Sequence, residues 1–289
     1  MVKIAVYSRK GGTGKTTSTF NIAGILAKNY KKKVLIIDAD SQANITTYLL
    51  QTEREQNNNS YDFLNDITTV EDLFLYPEKI NDAVRNSLFA LTEKSTPRKR
   101  GIDIVPARPT SISPKIDLDK INDLLASEAI PKGQINKALS MLKHTRNHLY
   151  DYDYCLMDFG PAKNKLTMDF LAACDYVLIP TSIDAASING VSGLVGMLDD
   201  IRQEYETKVS LLGIYPTIVM KNTSYDSATL NDMKAVFGDR YIDTPIRYST
   251  ETKWSIDMGV PLAYTKRTAP VTQDYNRLVD EIIERIERA

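Results

Sequence analysis

The run Arg9-Lys10-Gly11-Gly12-Thr13-Gly14-Lys15-Thr16-Thr17-Ser18 sets glycines, lysines and hydroxyls at the spacing of a phosphate-binding loop. Phosphate oxygens need backbone N–H donors that approach closely, glycines that permit the dihedrals, and a helix N-terminus whose dipole favours anions. Lys15 supplies a point charge, and the Thr16 hydroxyl can hold a magnesium ion that bridges the phosphates. The spacing is that of a Walker A loop with two departures. Arg9 stands where the general pattern has its first glycine, and Lys10 is an additional lysine. A glycine-rich turn with stray lysines would share the composition but not the flanks: the apolar run Ile4-Ala5-Val6-Tyr7 precedes the loop and an amphipathic helical pattern follows it.

Such a loop must be mounted on strands and helices, and the chain supplies both. Val2 to Ser8 reads as a buried strand, and Thr16 to Tyr30 as a helix with apolar positions at helical spacing. Val34-Leu35-Ile36-Ile37 is a short apolar run ending in Asp38-Ala39-Asp40, which suits a central parallel strand with carboxylates at its C-terminal edge. Gln51 to Ser60 turns polar and is predicted to be a solvated loop. Thr69 to Phe74 and Lys79 to Leu88 are predicted as short helices, Ile102 to Pro106 as a strand, and about 108–132 as a less regular insertion. Gln134 to Leu149 reads as a helix, and the strands Tyr154 to Asp158 and Tyr176 to Pro180 follow. A helical stripe over Ile188 to Tyr205, a strand over Leu211 to Val219, and helices over Ala228 to Phe237 and Val271 to Ile286 complete the alternation. The pattern predicts one α/β domain over 1–289: a doubly wound, mostly parallel sheet with helices on both faces.

Bulk properties exclude several classes. The 289 residues are 43% hydrophobic, enough for a full α/β core. Lys and Arg total 36 against 37 for Asp and Glu, so the near-zero net charge gives no global nucleic-acid signal, and any DNA contact must come from local patches. Cys155 and Cys174 lie in apolar segments without partnering spacing, which argues against a disulfide scaffold or zinc site and fits a reducing cytoplasm. A strand beginning within three residues of Met1 leaves no space for a signal peptide, and no apolar run approaches membrane-span length.

In an open α/β sheet the ligand binds at the carboxyl edge of the strands. Asp158 is expected in the outer sphere of the magnesium there, and Asp38 is a second metal candidate. Asp40 is placed to orient the water that attacks a γ-phosphate; alternatively Asp38 and Asp40 cap the following helix. Phosphoryl transfer is governed by positioning and charge neutralisation, so a lysine that the local phosphate fold does not need, Lys10, can serve a nucleotide held by a second subunit. A solvated surface lysine is the alternative.

The loop from Lys10 to Thr17, the Asp38-Ala39-Asp40-Ser41-Gln42 segment with Asn44 and Thr46 after it, and the strand ending at Asp158 resemble the deviant Walker A, Walker A′ and Walker B of the ParA/Soj/MinD ATPases, with the ParA side closest. Gly101 to Ala107, Tyr154 to Pro180, Gly259-Val260-Pro261 and the last helix follow in the family's order. The resemblance covers the chain except the polar segment after Leu50 and the stretch of about 108–132. It implies ATP and Mg2+ as cofactors, with Lys10, Gly11, Gly12, Thr13, Gly14, Lys15, Thr16 and Thr17 on the nucleotide. It further implies an ATP-sandwich homodimer completed by Lys10, water activation by Asp40, DNA binding without sequence preference, and hydrolysis stimulated by a ParB-like centromere-binding partner. That places the protein in the cytoplasm on the nucleoid.

Departures from the family pattern stand beside the match. Phe159-Gly160-Pro161 replaces the usual Thr-Pro-Pro after Asp158, with Lys163 and Lys165 close behind, and Pro245-Ile246-Arg247-Tyr248 replaces the usual Pro-Arg-Asn near the base. Asn222 is the candidate base-edge contact. Lys221, Arg247, Lys253, Lys266 and Arg267 are the candidate DNA-binding cations, since counterion release needs several on one face; ordinary solubilising charge is the alternative. A MinD-like membrane-surface ATPase would need a lysine-rich amphipathic tail, whereas Asp280 to Ala289 is acid-rich. A nucleotide-gated scaffold with negligible turnover stays open as a non-enzymatic reading.

Overall fold

The computed structural model describes residues 1–89, 98–112, 116–142, 151–220 and 224–289. Among the described residues seven strands form one sheet in the order β3-β4-β2-β5-β1-β6-β7. They are β1 (Val2–Val6), β2 (Val34–Ala39), β3 (Arg85–Phe89), β4 (Arg98–Val105), β5 (Tyr154–Phe159), β6 (Tyr176–Ser182) and β7 (Ser210–Thr217). All pairings are parallel except β3 with β4, which is antiparallel with a register shift between Asn86 and Leu88.

Strand residues alternate between two cores, as side chains on a pleated sheet must. Val34 and Ile36 join Ile4, Phe20 and Leu26 on one face, under the helix Lys15–Lys28 and the closing helix Pro270–Arg288. Leu35 and Ile37 join Ala5, Tyr7, Met157 and Phe170 on the other, under Lys165–Ala172 and Ala185–Tyr205. β2 and β5 are buried along their whole length, which explains their unbroken apolar runs. Two close approaches fix the first face. Gly24 has no room for a Cβ because Pro261 lies against it, and Gly259, at φ 59°, would set a Cβ 2.5 Å from the Tyr48 carbonyl oxygen.

Several sequence expectations shift. Lys79 to Leu88 is not one helix: a short helix Ile80–Ala83 is followed by β3, whose Ser87 Oγ donates to the Ile102 carbonyl at 3.0 Å. The predicted loop after Leu50 opens with a helix, Gln51–Gln56. The stretch 108–132 contains the helix Leu118–Ala126, capped by Asp117 and buried through Leu118, Ile121 and Leu125. Arg108 enters the interior there, with Nε on the Leu64 carbonyl, Nη2 on Asp72 at 2.7 Å, and Glu71 alongside. The helix predicted to Leu149 is Gln134–Ser140, and 143–150 lie outside the described residues. Among the described residues no helix is long and apolar enough to cross a membrane.

Beyond β7, the segment 241–248 runs along the outer edge. Ile242 and Ile246 N–H donate to the Ile214 and Pro216 carbonyls, Val219 N–H donates to the Ile246 carbonyl, and Tyr248 N–H donates back to the Val219 carbonyl.

Candidate nucleotide site

The phosphate-loop residues lie between β1 and the helix Lys15–Lys28. Gly12 and Gly14 adopt φ 74° and 77°, and among the described residues nothing stands within 4 Å of where a Cβ on Gly11, Gly12 or Gly14 would sit. The helix has no side-chain cap at Gly14 and no acidic residue in its own first turn, so none of its own side chains competes for the N–H groups there. The loop is braced from outside: Thr217 Oγ1 at the end of β7 donates to the Thr13 carbonyl at 2.9 Å.

Lys15 is buried, and its Nζ donates to the Lys10 carbonyl at 2.9 Å. Burial lowers its pKa, while Asp158 and Asp40 work in the opposite direction. Lys10 points elsewhere, its Nζ lying 2.7 Å from Asp184 Oδ2 with both side chains near half exposed. Nothing in the loop's own spacing could have signalled Asp184, although its place just past β6 puts it at the ligand edge of the sheet.

The acidic strand ends meet through the sheet register. Asp38 on β2 lies opposite Asp158 on β5, and both are fully buried. Asp38 Oδ2 accepts from Thr46 Oγ1 at 2.7 Å and Thr46 N–H at 3.0 Å, and Oδ1 accepts from Asp40 N–H at 3.1 Å. Its carboxylate therefore shapes the turn into the helix Asn44–Leu49. Burial raises its pKa to about 7 against those hydrogen bonds. Burial, reinforced by Asp38, raises Asp158 well above the carboxylate range. Asp158 Oδ1 accepts from Thr19 Oγ1 at 3.1 Å, the Thr16 hydroxyl works against the effect of burial, and among the described residues Oδ2 is buried without a hydrogen-bond partner.

That orphaned oxygen beside Thr16 is the local fit for a magnesium ion. Among the described residues no cluster of three or more His, Cys, Asp or Glu is arranged to hold a metal. The donor set therefore suits an ion held mainly by phosphate and water, with one hydroxyl and one carboxylate from the protein. Asp40 is buried at the rim, with Oδ1 accepting from Gln42 N–H at 3.0 Å.

The phosphate loop and Asp40 open on one pocket of about 400 Å³, with Asp38 and Asp158 buried behind its wall. The phosphate loop and Asp40 line one end, and Ile218, Ile246, Arg247, Tyr248 and Thr252 line the other. Ile218 has φ 59°, a left-handed conformation that a β-branched residue rarely adopts. It is pinned between Thr217 and the paired Val219, and no sequence signal marks it.

The described DNA candidates differ in their settings. Arg247 turns inward and grips the buried Asp274, with Nε at 2.5 Å and Nη2 at 2.8 Å, and Arg277 binds the same carboxylate. Lys253, Lys266 and Arg267 are exposed, with Lys266 Nζ 5.0 Å from the Trp254 ring centroid. Lys221 and Asn222 lie outside the described residues.

Comparison with known proteins agrees with this geometry. A family described as an AAA domain matches residues 1–211. The chromosome partitioning protein ParA of Caulobacter vibrioides is 26% identical over 282 residues, covering 98% of this chain and 94% of the relative. An aspartate-to-alanine variant of Cyanothece McdA, solved as an ATP complex, superposes with TM-score 0.75 at 20% identity, covering 98% of this chain and 96% of that one. Cobyrinic acid a,c-diamide synthase of Mycobacterium smegmatis, with an ATP analogue and magnesium, superposes with TM-score 0.73 at 21% identity, covering 99% of this chain and 96% of that one. The last two share the fold whatever their reactions, whereas the domain match and the full-length ParA likeness define the group: the chain belongs to the AAA-domain family and, within it, to the ParA/Soj-type ATPases.

Proposed function

We propose that residues 1–289 act as a single DNA-partition ATPase domain that binds ATP and magnesium at the carboxyl edge of the sheet and dimerises around two nucleotides. The dimer binds DNA without sequence preference and hydrolyses ATP slowly when a ParB-like centromere-binding partner stimulates it. The cycle would move or position a plasmid or chromosome region on the nucleoid. The observation that carries this reading is the division of labour between two lysines: Lys15 is buried within the loop while Lys10 stands at its exposed rim. A cation at the rim can serve a nucleotide on another copy, which an isolated nucleotide binder does not need.

Gly11 to Thr17 would cradle the phosphates, and Thr16 and Asp158 would hold magnesium, which neutralises phosphate charge. Asp40 would orient the attacking water, and Ile218 and Tyr248 would border the base. Support for partition over a membrane role comes from the helix Pro270–Arg288, whose apolar residues Val271, Tyr275, Leu278, Val279 and Ile282 are buried in the core and so engaged already. Asp40→Ala is expected to keep nucleotide affinity and nucleotide-dependent dimerisation while turnover falls by about 100-fold or more. Turnover at the wild-type rate would overturn the role of Asp40, and negligible turnover of the wild type even with DNA and partner would favour a nucleotide-gated scaffold.

A further inference from the structure

The geometry points to Gly160 as the positioning residue for Asp40: the missing side chain at 160 creates the seat in which the water-orienting carboxylate rests. The register pairs Ala39 with Phe159, so Asp40 and Gly160 leave adjacent strands side by side. A Cβ on Gly160 would lie 2.9 Å from Asp40 Oδ1 and 3.2 Å from its Cγ, inside van der Waals contact. Asp40 cannot slide away cheaply, because the same Oδ1 accepts from Gln42 N–H. Nor can the backbone at 160 retreat. Phe159 is fully buried, edge-on to Tyr7 at 5.5 Å and to Phe170 at 5.9 Å between centroids. Phe159 and Gly160 thus work as a unit, the ring anchoring the strand end and the glycine leaving a berth beside it. Oδ1 is fixed by the turn, and Oδ2 is the oxygen left to face a water. The residues by which Phe159-Gly160-Pro161 departs from the family pattern therefore bear on the reacting end of the pocket.

This inference rests on the reading of Asp40 given above, and its test separates the two. Gly160→Ala, Asp40→Ala and the double variant are compared by ATP turnover, by affinity for a non-hydrolysable ATP analogue and by thermal melting. Gly160→Ala is expected to cut turnover about tenfold or more, since small misplacements of catalytic groups are costly, with analogue affinity held within about twofold. It should also lower the melting temperature in the wild-type background but not in the Asp40→Ala background, where no carboxylate remains to be displaced. A Gly160→Ala protein that folds only when Asp40 is also alanine reports the same clash more strongly. Unchanged turnover in Gly160→Ala, an equal melting loss in both backgrounds, or failure of both the single and the double variant to fold would overturn the proposal. If Asp40→Ala itself keeps turnover, the reading of Asp40 fails, while the melting comparison still reports on the contact.

Discussion

Lys10 Nζ lies 2.7 Å from Asp184 Oδ2, and Ser182 Oγ donates to the same oxygen at 2.7 Å, so the rim lysine is held within its own chain by a carboxylate from the far end of β6. Both partners are exposed, and such a pair contributes about 0–1 kcal/mol. Lys10→Ala should therefore melt close to the wild type yet fail to dimerise when a non-hydrolysable triphosphate is added. Sedimentation checks this, and an undiminished dimer would remove Lys10 from the interface.

Arg247 and Lys253 should separate in their effects, although both are sequence candidates for DNA. Removing the bidentate partner of a buried carboxylate costs about 3–5 kcal/mol, less whatever Arg277 retains. Arg247→Ala is thus expected to lower the denaturant midpoint strongly. Lys253→Ala and Arg267→Ala should leave stability within about 0.5 kcal/mol. They should also weaken DNA retention, each reducing the salt slope by about one if it touches phosphate. Gel retardation across a salt series distinguishes the two behaviours.

Ile218 gives a reversal of the usual order. At an ordinary position alanine is more stable than glycine, but at φ 59° glycine alone avoids the left-handed penalty of about 1–2 kcal/mol. Ile218→Gly should melt above Ile218→Ala, while both lose affinity for nucleotide with the apolar wall they remove. Melting curves and nucleotide titrations of the pair check this.

Glu71 predicts a pH dependence remote from the pocket. Its Oε1 accepts from Arg108 N–H at 2.8 Å and Oε2 from Thr69 Oγ1 at 2.5 Å, yet complete burial raises its pKa from the model-peptide value of 4.5 to about 7. A carboxyl with a raised folded-state pKa binds more protons when native than when unfolded, so stability falls as pH rises from about 4.5 to about 7 and levels off above. Asp169, raised to about 6 by burial, acts in the same direction. Glu71→Gln should flatten that slope without abolishing it, read as urea midpoints at both ends of the window.

The parts of this structure that depend on local sequence were legible in it. The strand, loop and helix around Lys15 and the paired strand ends at Asp38 and Asp158 follow from buried apolar runs and punctuating glycines, which are properties of neighbouring residues. β3 was not legible. Arg85–Phe89 carries no alternating apolar pattern and becomes a strand through its pairing with β4, so tertiary context overrides propensity. The inward turn of Arg247 was hidden for a similar reason, because its partner Asp274 lies 27 residues on. The role of Gly160 needed the register of two strands far apart in sequence before its missing Cβ acquired a meaning.

The strip along the outer edge of β7 has one more consequence. Its backbone amides at Ile242 and Ile246 are already satisfied by the sheet, and the same strip continues into Arg247 and Tyr248 at the pocket. A base entering there would meet a surface made rigid by cross-strand bonding, with little chain freedom left to lose on association. Recognition at that wall is decided by shape before the ligand arrives.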